Sequence, residues 1–270
     1  MFTRHAMYTK TKTLWSFRHF ITSNIVRDFK SRYANSLLGG AWTLLTPLAQ
    51  IIIYTVIFSK IMHARVPGID NTFSYGIYLC SGIIVWSFFT ELVQRGQTLF
   101  LDQATLIKKI NFPKTALPII LLGQATLNLC TLCGLFLLFL ILIDAFPGWA
   151  LVSFIPVLGT TAIVGLGVGI SLAVLNVFFR DVAQLMNIVL QFWFWLTPIV
   201  YPVDMLPDYL SSLIQLNPLF GVIECSHQIF VEHITPQWLL VLWPGLFGLM
   251  SCLTALSLYR RQLNDMIDEL

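Results

Sequence analysis

Six long apolar runs divide the chain, at about 37–59, 75–93, 117–143, 154–178, 182–200 and 238–259, and each predicts a membrane-spanning helix. The residues before the first run follow another period. From Leu14 to Tyr33 the apolar positions Leu14, Phe17, Ile21, Ile25 and Phe29 recur every three or four residues, with Arg18, Arg27, Lys30 and Arg32 among them. That pattern predicts a basic amphipathic helix lying in the membrane interface. Residues 1–13 are polar and basic and read as a loose tail.

Two stretches between the runs break the alternation of span and short loop. In Gln94 to Thr115, Leu99, Phe100, Leu101, Leu106, Ile107 and Ile110 are interleaved with Asp102, Lys108 and Lys109, and Asn111-Phe112-Pro113 ends the segment. It predicts a short amphipathic helix at the cytoplasmic surface. Such a helix either docks in a partner's groove or rests on lipid headgroups. Residues 201–237 are apolar but punctuated by Pro202, Pro207, Pro218 and Pro236, so neither 208–217 nor 219–231 is long enough to span. They are read as two short helices that dip into the outer leaflet and return, rather than as a plain external loop.

The expected fold class is an all-α membrane protein: six transmembrane helices, an N-terminal amphipathic interface helix, a short cytoplasmic helix and two short re-entrant periplasmic helices. In segments, 1–36 is tail plus interface helix, and 37–259 is the six-helix domain. That domain includes the cytoplasmic loop 94–116 and the re-entrant segment 201–237, and 260–270 is a cytoplasmic tail.

Charge fixes the orientation. Fourteen of the sixteen Lys and Arg fall on one side of this span arrangement, with only Lys60 and Arg65 on the other. By the positive-inside bias both termini are cytoplasmic. Composition excludes an ordinary soluble domain: 11% of residues are charged and 57% hydrophobic, against roughly 25% charged in soluble proteins. The five cysteines, at 80, 130, 133, 225 and 252, lie in apolar surroundings and read as small buried apolar residues. Gly165, Gly169 and Ala173 recur every fourth residue in the fourth run, which predicts close helix packing and makes that face one candidate for a seam between protomers.

The fifth run carries the candidate chemistry. Gln184, Asn187, Gln191, Phe194 or Trp195, and Pro198 fall at helical spacing on one side of it. A stripe of amides is costly against lipid, so it faces protein or a wet path. It ends among Phe192, Trp193, Phe194, Trp195 and Tyr201. Amides bond hydroxyls and flat rings cover the C–H faces of sugars, so this is a candidate glycan surface. The competing reading is an interfacial aromatic belt with helix–helix hydrogen bonds. Arg27, Lys30, Arg32 and Arg180 sit where lipid phosphates would lie, either as ligands or as topology-setting charge.

Much chemistry is missing. The five His show no metal spacing, and no G-x-x-x-x-G-K-[ST] motif occurs, so ATP binding through a P-loop is excluded. Glu224 and His227 are three apart and could pair through a structural hydrogen bond. No run has an ionisable residue near its middle, which disfavours an ion-coupled carrier. A lipid-modifying enzyme would need acids or His at one interface, and the cytoplasmic side mostly offers cations. No nucleic-acid partner is expected.

Three stretches resemble one family. Val26-Arg-Asp-Phe-Lys-Ser-Arg-Tyr33 followed by Leu38-Gly-Gly-Ala-Trp42 and Pro47 is similar to the approach to span one in type-2 ABC transporter permeases. Phe179-Arg-Asp181 with Thr197-Pro-Ile-Val-Tyr-Pro202 resembles their fifth span, and Asn217-Pro218 matches before the last. Within that family the chain is most similar to exporters of lipid-linked polysaccharide such as O-antigen, capsule or teichoic acid. The resemblance implies a homodimer in a bacterial cytoplasmic (inner) membrane, with two copies of a separate ATP-binding subunit beneath it. ATP and Mg would sit on that partner, with no cofactor in this chain and no enzymatic activity of its own. It further implies that Arg27, Lys30, Arg32 and Tyr33, with Arg180, meet the diphosphate of an undecaprenyl-linked polymer. Trp42, Gln191, Phe192, Trp195 and Tyr201 would line the glycan channel. Leu99, Phe100, Leu106, Ile107, Lys108 and Lys109 would form the coupling helix. A type-2 permease exporting a drug or small lipid shares the scaffold. One departure is that many relatives carry an arginine where Glu224 to His227 stand here.

Overall fold

The computed structural model describes residues 18–31, 41–56, 73–109 and 116–269, and among them all regular structure is helical. The elements in order are α1 (Arg18–Ser31), α2 (Trp42–Tyr54), α3 (Ser74–Gln97), α4 (Leu99–Asp102), α5 (Ala104–Lys109) and α6 (Ala116–Leu142). A 3-10 turn at Gly148–Ser153 leads into α7 (Phe154–Phe178). Then come α8 (Asp181–Trp195), α9 (Asp208–Gln215), α10 (Phe220–Phe230) and α11 (Leu239–Glu269).

Four of these helices are long and apolar enough to cross a membrane: Ser74–Gln97, Ala116–Leu142, Gly148–Phe178 and Leu239–Leu263. They coincide with the second, third, fourth and sixth apolar runs, and the chain is a multi-pass membrane protein. Of the first run, α2 and the turn to Val56 are described; the rest lies outside the described residues. The fifth run does not form the expected single helix over 182–200. Asp181 sits in the first turn of α8, where an acid complements the helix dipole. The helix stops at Trp195 because Pro198 restricts the residue before it. Its 15 residues reach about 22 Å, short of a hydrocarbon core of about 30 Å.

The buried centre is α3. It packs on α7, α10 and α6, with Phe89, Leu92 and Val93 fully enclosed. Phe230 of α10 meets Phe136 of α6 and Phe154 of α7 edge-on, with ring centroids 5.2 and 4.9 Å away. The outer faces of α6 and α11 stay apolar and exposed, as at Leu138, Leu142, Leu249 and Leu253. An outward apolar surface fits a lipid solvent.

The glycines of α7 serve packing inside the chain. A Cβ on Gly169 would stand 2.7 Å from the Leu92 carbonyl oxygen of α3, and one on Gly167 would stand 2.2 Å from Ser251 Oγ of α11. Both sides of this stripe are thus covered by the chain's own helices, so it is not the free seam the spacing allowed. Of the cysteines, Cys80 and Cys225 are buried as expected, but Cys130 is exposed on the outer face of α6. In an apolar surrounding a thiol is tolerated on that face.

Two further expectations change shape. The cytoplasmic amphipathic segment is two short helices, α4 and α5, broken at Gln103. The expected C-terminal tail continues α11 to Glu269. The segment after α8 forms two short helices, as predicted. Of these, α10 is buried over nearly its whole length among α3, α7 and α11.

Candidate functional site

Helix α3 separates its polar side chains by type. Trp86, Thr90, Gln94 and Gln97 recur at steps of four, four and three, one stripe of a helix. Glu91 and Arg95 lie off that stripe, 3.1 Å apart. Arg95 also donates to Gln124 Oε1 at 2.5 Å, and Asn128 donates to Glu91, both from α6. The ionic face therefore turns toward α6, and the neutral face turns toward α8.

Between α3 and α8 that neutral face opens a groove of about 960 Å³. From α3 it is lined by Trp86, Thr90, Gln94 and Gln97, with Thr98 just beyond; from α8 by Ala183, Asn187, Leu190, Gln191, Phe194 and Trp195. Amides meet across it: Gln94 Nε2 and Gln97 Nε2 donate to Asn187 Oδ1 at 3.5 and 3.4 Å. Asn176 of α7 holds the two walls together from below. Its Nδ2 donates to the Gln97 backbone oxygen at 2.9 Å, and its Oδ1 accepts from Ala183 N at 3.3 Å. Gln97 is only 3% exposed, and its Oε1 is buried without a partner among the described residues. An orphan acceptor of this kind costs about 1–3 kcal/mol, and such groups cluster at functional sites.

The aromatic end of the groove is ordered by edge contacts. Phe194 lies edge-on to Trp86 at 5.6 Å and to Trp195 at 5.3 Å. Trp195 remains 63% exposed, with a ring free to take a ligand. Beyond it the chain turns under a clamp from α3. Tyr78 Oη donates to the carbonyls of Pro198 and Tyr201 at 3.1 and 3.0 Å, and Tyr75 Oη donates to that of Val200.

The expected glycan residues divide. Gln191 and Trp195 line the groove. Tyr201 is half-buried beside it, with Oη donating to the Trp195 carbonyl at 2.8 Å. Phe192 points outward, 69% exposed, because one step of a helix rotates it about 100° from Gln191. Trp42 lines a different cavity of about 270 Å³, with Gln50 of α2, Glu91 of α3 and Asn128 of α6. Trp86, Thr90, Gln94 and Gln97 are not among the expected residues: the first two lie in an apolar run that reads simply as a span, and the last two fall beyond its end at residue 93.

Among the expected phosphate ligands, Arg27 donates to Asn24 Oδ1 at 2.7 Å and lines a cavity of about 420 Å³ with Arg95, Asp102, Gln103 and Gln124. Arg180 is exposed at the start of α8 and is not part of that cavity. Lys30 lies on α1, but its side chain, like Arg32 and Tyr33, is outside the described residues.

The coupling segment faces inward more than its pattern suggested. Leu99, Phe100 and Ile107 are buried, and Phe100 stacks on Tyr259 of α11 at 5.8 Å. Asp102, Thr105 and Lys108 form its exposed surface; the side chains of Leu106 and Lys109 lie outside the described residues. The apolar face expected to enter a partner instead anchors the segment to the bundle. His227 and Glu224 do not form the hydrogen bond their spacing allowed. Nδ1 lies 3.8 Å from Glu224 Oε2, and the ring stacks on Tyr78 at 3.7 Å.

Comparison with known proteins agrees with this architecture. The chain is 29% identical over 236 residues to the O-antigen export system permease protein RfbA of Myxococcus xanthus, covering 86% of this chain and 87% of that one. It is 28% identical over 238 residues to the protein of the same name from Klebsiella pneumoniae, covering 87% and 88%. The Polysialic acid transport protein KpsM of Escherichia coli is 22% identical over 246 residues, covering 90% and 93%. The family model described as ABC-2 type transporter matches residues 19–231, from α1 through α10, and the chain belongs to that family.

Proposed function

We propose that the chain is the transmembrane permease subunit of an ATP-driven exporter of lipid-linked polysaccharide, most specifically O-antigen on undecaprenyl diphosphate. The single observation that carries this reading is the groove between α3 and α8, with amides on both walls and exposed indole at one end. Amides exchange hydrogen bonds with hydroxyls in any register, and ring faces cover sugar C–H groups without fixing sequence. A polymer can therefore slide along such a surface. The names of the relatives support a polysaccharide cargo.

In this reading α2 and α8, with the turn after it, complete six spans, both termini are cytoplasmic, and α9 and α10 are re-entrant from the periplasmic side. The groove is open on one side, and a second copy of the chain in a homodimer closes it, bringing Trp42 to the same path. Arg27, Lys30, Arg32, Tyr33 and Arg180 meet the diphosphate at the cytoplasmic end. Two copies of an ATP-binding subunit, carrying ATP and Mg, press on α4 and α5 through Asp102, Thr105 and Lys108.

The chain offers a direct route from that push to the cargo. Thr98 lines the groove and immediately precedes α4, with Oγ1 donating to Asp102 Oδ2 at 2.7 Å. Displacing α4 drags the Gln94–Gln97 end of the groove wall. Phe100 on Tyr259 passes the same displacement to α11.

The test is to deplete either this chain or its ATP-binding partner in the native cell and locate the lipid-linked polymer. Polymer held on the cytoplasmic side in both depletions supports the reading. Glycan reaching the surface normally while a small amphiphile is retained replaces it with a drug or lipid permease.

A further inference from the structure

We propose that the groove selects an uncharged glycan backbone over a polyanionic one. The inference rests on the export reading above and narrows its cargo. Among the described residues that line the groove none carries a charge. This follows from how α3 is built. Its two ionic side chains, Glu91 and Arg95, stand off the groove stripe and bond each other and residues of α6. The cation nearest in sequence to the groove stripe is thus engaged behind it.

What faces the cargo instead is a set of groups that both donate and accept. Gln94, Asn187 and Gln191 offer amides along the groove, and Gln97 lies beneath them with a buried Oε1 that has no partner among the described residues. A turn of that amide toward the groove would let a hydroxyl donor satisfy it, whereas a carboxylate has no proton to give. A repeat bearing a carboxylate or phosphate would surrender its hydration on entering, with no cation on these walls to compensate. Selection of this kind works by rejection: the neutral polymer is held loosely, and the charged one is penalised at each repeat.

The experiment uses inverted membrane vesicles containing this chain and its ATP-binding subunit. They are supplied with two polyprenyl-diphosphate-linked glycans of equal length, a neutral hexose polymer and one with a uronate in every repeat. ATP-dependent protection from an added glycosidase reports translocation. The neutral polymer is expected to move roughly tenfold faster or more, given the cost of an unpaired buried carboxylate. Gln191→Lys, at an exposed position that folding tolerates, is expected to narrow that ratio by raising uronate transport and lowering neutral transport. Equal wild-type rates would overturn the inference while leaving polysaccharide export standing. So would a wild-type preference that Gln191→Lys leaves unchanged, since selection would then lie elsewhere. Failure to move either glycan, with a small amphiphile still exported, would overturn the export reading and this inference with it.

Discussion

The side-chain amide of Asn217 donates to Thr197 Oγ1 at 2.8 Å, joining the loop after α9 to the turn that ends α8. The same amide donates to the Leu196 carbonyl at 3.2 Å, and its oxygen accepts from Trp193 Nε1 at 2.9 Å and Leu219 N at 3.0 Å. Two motifs separate in sequence, Thr197-Pro198 and Asn217-Pro218, are therefore one structural unit that sets the end of the groove helix. Asn217→Ala leaves the Trp193 indole N–H without its partner. It is expected to cost about 1–3 kcal/mol, read as a lower Tm of the detergent-purified protein and faster proteolysis at 196–202. An unchanged Tm would show that the turn is held without Asn217, by contacts such as those of Tyr75 and Tyr78.

Close helix approach makes a second prediction. A Cβ at Gly221 would sit 1.8 Å from the Leu240 carbonyl oxygen, a backbone atom that cannot swing aside. Gly221→Ala must push α10 from α11 and is expected to destabilise by about 1–3 kcal/mol, with reduced yield of folded protein. Gly134→Ala and Gly159→Ala meet nothing within 4 Å and serve as controls. Both exchange glycine for a better helix former and are expected to be neutral or slightly stabilising.

Groove-facing and outward aromatic residues should separate in transport. Trp195→Ala removes an exposed ring at the groove, and a stacking contact of about 0.5–1.5 kcal/mol corresponds to a loss of up to roughly tenfold in export rate. Phe192→Ala removes a neighbouring ring that points away and is expected to change export less than about twofold. Measuring surface glycan per cell in strains with matched expression checks the pair. Equal losses would mean that the whole aromatic cluster acts together.

The buried imidazole of His227 predicts a pH dependence of stability. Burial pushes its pKa below the usual 6.5, and nearby Glu224 opposes without reversing the shift. The folded protein thus holds the ring neutral where the unfolded chain would take a proton. Stability from this group is complete above about pH 6.5 and declines as pH falls below it, by at most about 1.4 kcal/mol per unit. Tm measured between about pH 7.5 and pH 5.5 should fall on the acid side, and His227→Gln should flatten that fall. The same slope in the variant would assign it to other groups.

Much of this architecture is legible in the sequence, because length and apolarity alone mark α3, α6, α7 and α11. The prolines around 201–237 mark the two short helices in the same way. Three features escape such reading. The end of α8 depends on Pro198 and on the Tyr78 clamp, a tertiary contact. The neutral stripe of α3 was cut at residue 93 because Gln94 and Gln97 lower the hydropathy that defines a span. The inward side of α4 is ambiguous by nature: an amphipathic period says that Leu99 and Phe100 share a face, not whether that face meets the bundle or a partner. For the site, Asn187, Gln191 and Trp195 were visible as a helical stripe, whereas the opposing wall and the separate location of Trp42 required the fold.

The central claim is that glycan passes along the groove between α3 and α8. It is tested most directly by placing a photo-crosslinking amino acid at position 191 in one strain and at position 192 in another. Both are illuminated during active export and probed for glycan attached to the permease. The account predicts glycan on the position 191 protein, dependent on a functional ATP-binding subunit, and little on the position 192 protein. Attachment at 192 equal to or greater than at 191 would contradict it.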